Sequence, residues 1–194
     1  AFVFWLLQNA NSPPFTTTIT TNPLRHVVWN IFCLLHQPIY MNFSRQCLKK
    51  LHTCWIWSVA FHPVLHLLAT GSDDKSTIVY DLTTFPPTIK NHLKYHHHSF
   101  VLSVAFHPIL PILATGSTDK STILYDLTTS PPTVKYCLKH HTGSIRSVTF
   151  HPTLSLFATG SADNSVIIYD ISTSLPTIKY HLKHHTNWVR SVVF

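Results

Sequence analysis

Short apolar runs of period two, rich in Val, Ile, Phe and Thr and bounded by Gly, Pro, Ser and Asp, fill the chain from about residue 55 to its end. This pattern predicts strands and not helices, because alternate residues of a strand face opposite sides whereas a helix needs apolar positions three and four apart. Between residues 147 and 183 it predicts four strands, at 147–150, 156–159, 165–170 and 177–183. Pro152 punctuates the first connection, residues 160–164 the second and residues 172–176 the third, each with turn chemistry that stops a strand. The unit is a four-stranded antiparallel meander. Ile145, Val148 and Phe150 share a face only if one extra residue is accommodated, so a bulge is expected at the entrance to the first strand.

The unit repeats. Ser-Val-Ala-Phe-His-Pro starts at Ser58 and Ser103, returns with Thr149 for alanine at Ser147 and begins again at Ser191, so the starts lie 45, 44 and 44 residues apart. A period of that length belongs to a supersecondary unit. Three copies are complete, at about 58–94, 103–139 and 147–183, and a partial one opens at 191. A four-stranded sheet cannot bury both faces alone, so the repetition implies sheets stacked on their neighbours, about an axis or along a solenoid.

The stretch from His141-Thr-Gly-Ser-Ile-Arg-Ser-Val-Thr-Phe-His-Pro through Leu-Phe-Ala-Thr-Gly-Ser-Ala-Asp163 to Ile-Ile-Tyr169-Asp170 resembles a WD repeat, the blade of a β-propeller, and the resemblance covers residues 47–194. It implies an all-β fold of four-stranded antiparallel blades. It also implies a hydrogen-bonded tetrad in each blade, formed by His, Ser or Thr, Asp and Trp. The matching sets are His52, Thr70, Asp74 and Tyr80; His97, Thr115, Asp119 and Tyr125; and His141, Thr159, Asp163 and Tyr169, with intervals of 18, 4 and 6 in every set. His185 opens a fourth set that the chain does not finish. Two departures stand out. Tyrosine occupies the tryptophan position in all three sets, and the Gly of the family's Gly-His pair is replaced by Leu51, His96, His140 or His184. A tyrosine keeps an aromatic body and a donor, but its hydroxyl sits differently from an indole N–H, so the His, Thr and Asp portion is the part expected to survive.

Four periods of 44 take 176 of the 194 residues, which permits a four-blade ring. Propellers of the family usually have more blades, and the expectation is a partial propeller, a fragment of a larger one. Residues 1–46 contain no acidic residue, no Gly and no recognisable motif. Two explanations compete for them: a degenerate segment supplying the remaining strands of the blade begun at Ser191, or non-homologous sequence joined to a truncated array. Ala1 looks like an internal start.

Composition narrows the chemistry. The 194 residues are 45% hydrophobic and 11% charged, which excludes a disordered tail. Lys and Arg total 14 against 7 acidic residues, a formal charge of +7 that favours acidic or polyanionic partners. Cys33, Cys47, Cys54 and Cys137 show neither a CxxC pair nor ligand spacing, so no disulfide framework or zinc knuckle is indicated and a reducing, intracellular compartment is expected. The apolar stretches at 1–7 and 27–35 are too short to span a bilayer, and no basic residue precedes Arg25 as a secretory signal would require. No membrane partner is expected.

No glutamate is present, and six of the seven aspartates belong to the repeat: Asp74, Asp119 and Asp163 in the tetrads, Asp81, Asp126 and Asp170 after the tyrosines. Only Asp73 is left over, so no spare carboxylate pair exists for general acid–base work and the chain is not expected to be an enzyme. The histidine runs at 96–98, 140–141 and 184–185 are assigned to the tetrads and their neighbours; no carboxylate or thiolate completes a ligand set, so neither a metal nor another cofactor is expected. His62, His107 and His151, each before proline, are expected as exposed turn residues. The turn at Ser130-Pro131-Pro132 needs no further role.

Two surfaces remain as binding candidates. Lys90 and Lys94, Lys135 and Lys139, and Lys179 and Lys183 recur at i and i+4 on the fourth strand, where each pair is expected on one face. They make either a nucleic-acid stripe or, more simply, charges that guard an outer edge strand. The second surface comes from the resemblance, which puts the residues three and five after each tetrad histidine on the propeller's top face: Trp55 and Trp57, Phe100 and Leu102, Ser144 and Arg146, Trp188 and Arg190. The position before the tetrad aspartate joins them, as Asp73, Thr118 and Ala162. Large aromatics and arginine are the residue types that anchor protein interfaces. The expected function is a non-catalytic scaffold that binds other proteins or peptides on this face. The alternatives are a basic nucleic-acid-associated module and a truncated fragment without independent function.

Overall fold

The structure, a computed structural model, describes residues 51–84, 86–94 and 97–194. The expectations for residues 1–46, Cys47 and His96 fall outside the described residues. Each repeat folds into one four-stranded antiparallel sheet whose spatial order is its chain order. The first sheet holds β1 (Ile56–Phe61), β2 (Leu67–Ser72), β3 (Thr77–Asp81) and β4 (Thr88–Leu93). The second holds β5 (Val101–Phe106), β6 (Ile112–Ser117), β7 (Thr122–Asp126) and β8 (Thr133–Leu138), and the third β9 (Ile145–Phe150), β10 (Leu156–Ser161), β11 (Val166–Asp170) and β12 (Thr177–Leu182). Among the described residues no helix is long and apolar enough to cross a membrane.

The expected bulge is present in every copy. Register slips between Ile56 and Ser58 and between Val101 and Ser103, and Ile145 pairs with Ser161 while Ser147 pairs with Gly160, so Trp57, Leu102 and Arg146 are the added residues. A second bulge lies in the outer strands, where Lys90, Lys135 and Lys179 have no opposite residue. It breaks the alternation that would put each lysine pair on one face, so the single-face expectation fails.

The core lies between sheets. Val101, Val104 and Phe106 of β5 pack with Leu67, Ala69 and Val79 of the first sheet, and Ile145, Val148 and Phe150 of β9 pack with Ala114 and Leu124 of the second. This approach is close enough to require glycine: a Cβ on Gly116 would come within 2.6 Å of Ile145 Cγ2 and 2.9 Å of Val148 Cγ1. Serines lace the same seams. Ser58 Oγ accepts the Val104 N–H at 3.1 Å, Ser103 Oγ accepts that of Val148 at 3.0 Å, and Ser147 Oγ accepts that of Val192 at 3.1 Å. The final residues thus approach the third sheet as β5 approaches the first. At the opposite end Val59 and Phe61 remain 41% and 37% exposed, whereas their counterparts Val104 and Phe106 are buried.

The histidines before proline are not exposed turn residues. His62 is buried, its Nδ1 accepts the Val64 and Leu65 N–H groups at 3.1 and 3.0 Å, and its ring packs on Phe106 with centroids 5.2 Å apart. His107 and His151 are half-buried, accept turn N–H groups in the same way and pack on Phe150 and Phe194. A turn histidine beside a proline offers an acceptor to two orphaned donors and a flat ring to the next sheet, which explains its burial. Burial also lowers the His62 pKa, partly offset by its contact with the Leu110 carbonyl.

Candidate interaction site

Each sheet is locked at one end by the predicted tetrad residues. His52, His97 and His141 reach Thr70, Thr115 and Thr159 through Nε2 at 2.8, 2.7 and 2.8 Å. Their Nδ1 atoms meet Asp74, Asp119 and Asp163 at 2.8, 3.1 and 2.8 Å. Because a carboxylate only accepts, Nδ1 carries the proton and donates to the aspartate. Tyrosine stands in place of tryptophan, and in the third copy the Tyr169 hydroxyl meets His140 Nδ1 at 3.2 Å. Burial pushes the Tyr169 hydroxyl up to about 12.

Sequence reasoning missed a further member. Ser76, Ser121 and Ser165, two residues after each aspartate, donate from Oγ to the carboxylate at 2.6, 2.5 and 2.6 Å. The backbone N–H groups of the residues after the histidines, Thr53, His98 and Thr142, add bonds of 3.0, 2.8 and 2.9 Å. In the first and third copies the network runs on to the outer strand, where His92 and His181 meet Ser76 and Ser165 at 3.1 and 3.2 Å. The fixed Asp-x-Ser spacing in all three copies is the signal that marks these serines. Burial alone would raise the Asp119 and Asp163 carboxyls; the hydrogen bonds from histidine, serine and backbone outweigh it and hold both well below the usual carboxylate range. Burial lowers the His141 pKa, with Asp163 partly opposing.

The rim residues sit one turn away from this lock. Asp73, Thr118 and Ala162 donate their N–H groups to the carbonyls of Trp55, Phe100 and Ser144 at 2.9, 3.0 and 2.9 Å, which draws the turn before each tetrad aspartate against the entry to the first strand. In that entry the middle residue is an anchor: Val101, Ile145 and Val189 are buried, and Phe100 and Leu102, Ser144 and Arg146, and Trp188 and Arg190 flank it in the chain and are less buried. Trp55 and Trp57 flank Ile56 in the same way, although Ile56 is itself 42% exposed. Trp55 is 70% exposed, Trp57 52%, Phe100 43% and Trp188 50%, while Leu102 is half-buried.

Charge separates the copies. In the first, the Trp55 and Trp57 rings lie 6.1 Å apart at 58°, and Asp73 Oδ1 accepts the Trp57 indole N–H. Between the third and the segment that follows it, Arg146 Cζ lies 4.8 Å and Arg190 Cζ 5.9 Å from the Trp188 ring centroid. The Arg146 Nε is buried and has no hydrogen-bond partner among the described residues.

The outer-strand lysines are less available. Lys179 Nζ lies 3.6 Å from Asp170, Lys90 and Lys135 help lower the Asp81 and Asp126 carboxyls, and Lys135 lies over the Tyr136 ring. Each bulge lysine therefore has an acidic or aromatic neighbour within its own sheet.

The family described as WD domain, G-beta repeat matches residues 45–81, 89–126 and 132–170, more than half of the chain. No curated protein sequence matches it. Among solved structures, a chain of one described as "Crystal Structure of Mitotic Checkpoint Complex" is similar with a TM-score of 0.64 at 20% identity, covering 74% of this chain. This chain spans 43% of that one's length, and the likeness is one of fold alone.

Proposed function

The chain belongs to the WD domain, G-beta repeat family, and from that premise we propose that it is a non-catalytic scaffold on whose rim other proteins or peptides bind. Repeats of this family generally mediate protein–protein interaction, and the family is typically non-enzymatic. The observation that carries the reading is the rim itself: exposed Trp55, Trp57, Phe100 and Trp188, with Arg146 and Arg190 against the Trp188 ring, beside a hydrogen-bonded frame. Such residue types dominate binding energy where a partner desolvates them. Asp73, Thr118 and Ala162 belong to the same surface, Leu102 and Ser144 complete it between the larger groups, and no cofactor is part of the reading. An intracellular setting belongs to it as well, because the exposed thiols of Cys54 and Cys137 are free and stay reduced there.

Immobilised full chain captures candidate partners, and each is then titrated against variants. Trp55→Ala and Arg146→Ala should each weaken a true partner by about 2 kcal/mol, while Lys135→Ala and Lys139→Ala change little. The reverse ranking, with binding lost as salt is raised, would replace this reading with the nucleic-acid one.

A further inference from the structure

We propose that Arg146, Arg190 and Trp188 form a receptor for a phosphoryl group carried by a partner polypeptide. The proposal rests on the scaffold reading and names the chemistry of one part of its rim. Ser161 pairs with Ile145 and accepts the Val189 N–H at 3.0 Å, which draws the first strand of the third copy beside the segment that follows the sheet. Ile145 and Val189 are buried, and beside them the half-buried Arg146 meets Trp188 and the exposed Arg190.

Both guanidiniums then lie within 6 Å of the same indole, at 4.8 and 5.9 Å. Two cations on one ring repel each other unless an anion answers them, and the described residues supply none. Among the described residues no carboxylate lies within salt-bridge distance of either arginine. Asp163, on the adjoining turn, is engaged by His141, Ser165 and the Thr142 N–H, and the position that holds Asp73 in the first copy holds Ala162 here. A phosphate monoester carries nearly two negative charges and three acceptor oxygens, enough to answer both guanidiniums, whereas a carboxylate answers one. The Trp188 face holds the cations in place and offers an apolar wall to the side chain that bears the phosphate.

The test uses phenyl phosphate as probe and benzoate as its monoanionic counterpart, titrated into the full chain and followed by calorimetry and by the Trp188 indole resonance. Phenyl phosphate should saturate the site at least about tenfold more tightly than benzoate. Arg146→Lys and Arg190→Lys keep the charge but lose the planar fork, and each should weaken phenyl phosphate about tenfold, with Lys135→Gln as the unaffected control. Should Arg146→Lys disturb the sheet, visible in its circular dichroism, Arg190→Lys at its exposed position carries the test. Equal affinity for both probes, indifference to both arginine variants, or no saturation at millimolar concentrations overturns the proposal. If it is overturned while Trp55→Ala still weakens a protein partner, the scaffold reading stands alone. If phenyl phosphate binds as expected but no rim substitution affects a protein partner, the scaffold reading fails instead.

Discussion

The tetrads and the rim are one turn apart at the same end of the same sheets, yet one repeats the same His, Thr, Asp and Ser frame three times and the other differs each time. The His–Asp contacts span only 2.8 to 3.1 Å across the copies, and serine and backbone donors recur around every carboxylate. The rim holds Trp-Trp-Asp in the first copy, Phe-Leu-Thr in the second and Ser-Arg-Ala in the third. A buried network must satisfy every donor and acceptor, so each change in it strands a partner. Outward side chains face water and have no such constraint. The fold is therefore held by what repeats, and selectivity is free to reside in what does not.

The largest effect should come from the packing beneath the lock. Phe157 is fully buried, with ring centroids 4.9 Å from Phe150 and 5.8 Å from Tyr169, and Phe157→Ala should cost about 3–5 kcal/mol in chemical denaturation. On the rim, Trp188→Ala should stay within about 0.5 kcal/mol. A loss of similar size for both would erase the division between frame and rim.

Next comes the lock. Asp163→Ala leaves the His141 Nδ1–H, the Thr142 N–H and the Ser165 hydroxyl without their acceptor and should cost about 1–3 kcal/mol. An unchanged melting temperature would show that the carboxylate is dispensable to the sheet.

Acid tests all three locks together. The Asp74, Asp119 and Asp163 pKa values are lowered from 3.8 in the folded state, so the unfolded chain binds protons there that the folded chain does not. Their stabilisation is complete above the unfolded value and is lost as pH falls below about 3.8 towards the folded values. Unfolding midpoints measured across that window should fall steeply in the native chain and less steeply in Asp163→Asn. Identical slopes would mean that this carboxylate is not perturbed by its partners.

The smallest effect sharpens the comparison from the other side. Lys75, Lys120 and Asn164 adopt left-handed φ values of 68°, 72° and 68° in the turn after each tetrad aspartate. Lys120→Gly should stabilise by up to about 1 kcal/mol, since a left-handed lysine is strained and glycine is not. Destabilisation instead would place the lysine side chain, rather than its backbone, among the contacts that hold the turn.

Much of this was legible in the sequence. Period-two runs bounded by turn residues located the strands of the third copy to within about two residues, because burial on one face of a pleated strand imposes that alternation. The mismatch among Ile145, Val148 and Phe150 exposed the first bulge, and the spacing of His, Thr, Asp and Tyr located the lock, since a repeated network needs repeated spacing. The fourth-strand bulge escaped, for its lysines are polar on either face and leave no parity signal. So did the role of His62, His107 and His151, whose burial depends on a phenylalanine more than 40 positions away in the chain. Ser76, Ser121 and Ser165 looked like ordinary turn residues until the fold turned their hydroxyls onto the carboxylates.

The sequence by itself thus determined the repeat, the meander and the residues of the lock, all of which depend on contacts within one copy or on spacing that recurs between copies. Only the tertiary structure decided which side chains meet across a seam: that Arg146 and Arg190 share Trp188 while Trp57 turns to Asp73. Such contacts join residues from different copies or different turns, and their charge balance follows from neighbours in space that no local pattern specifies.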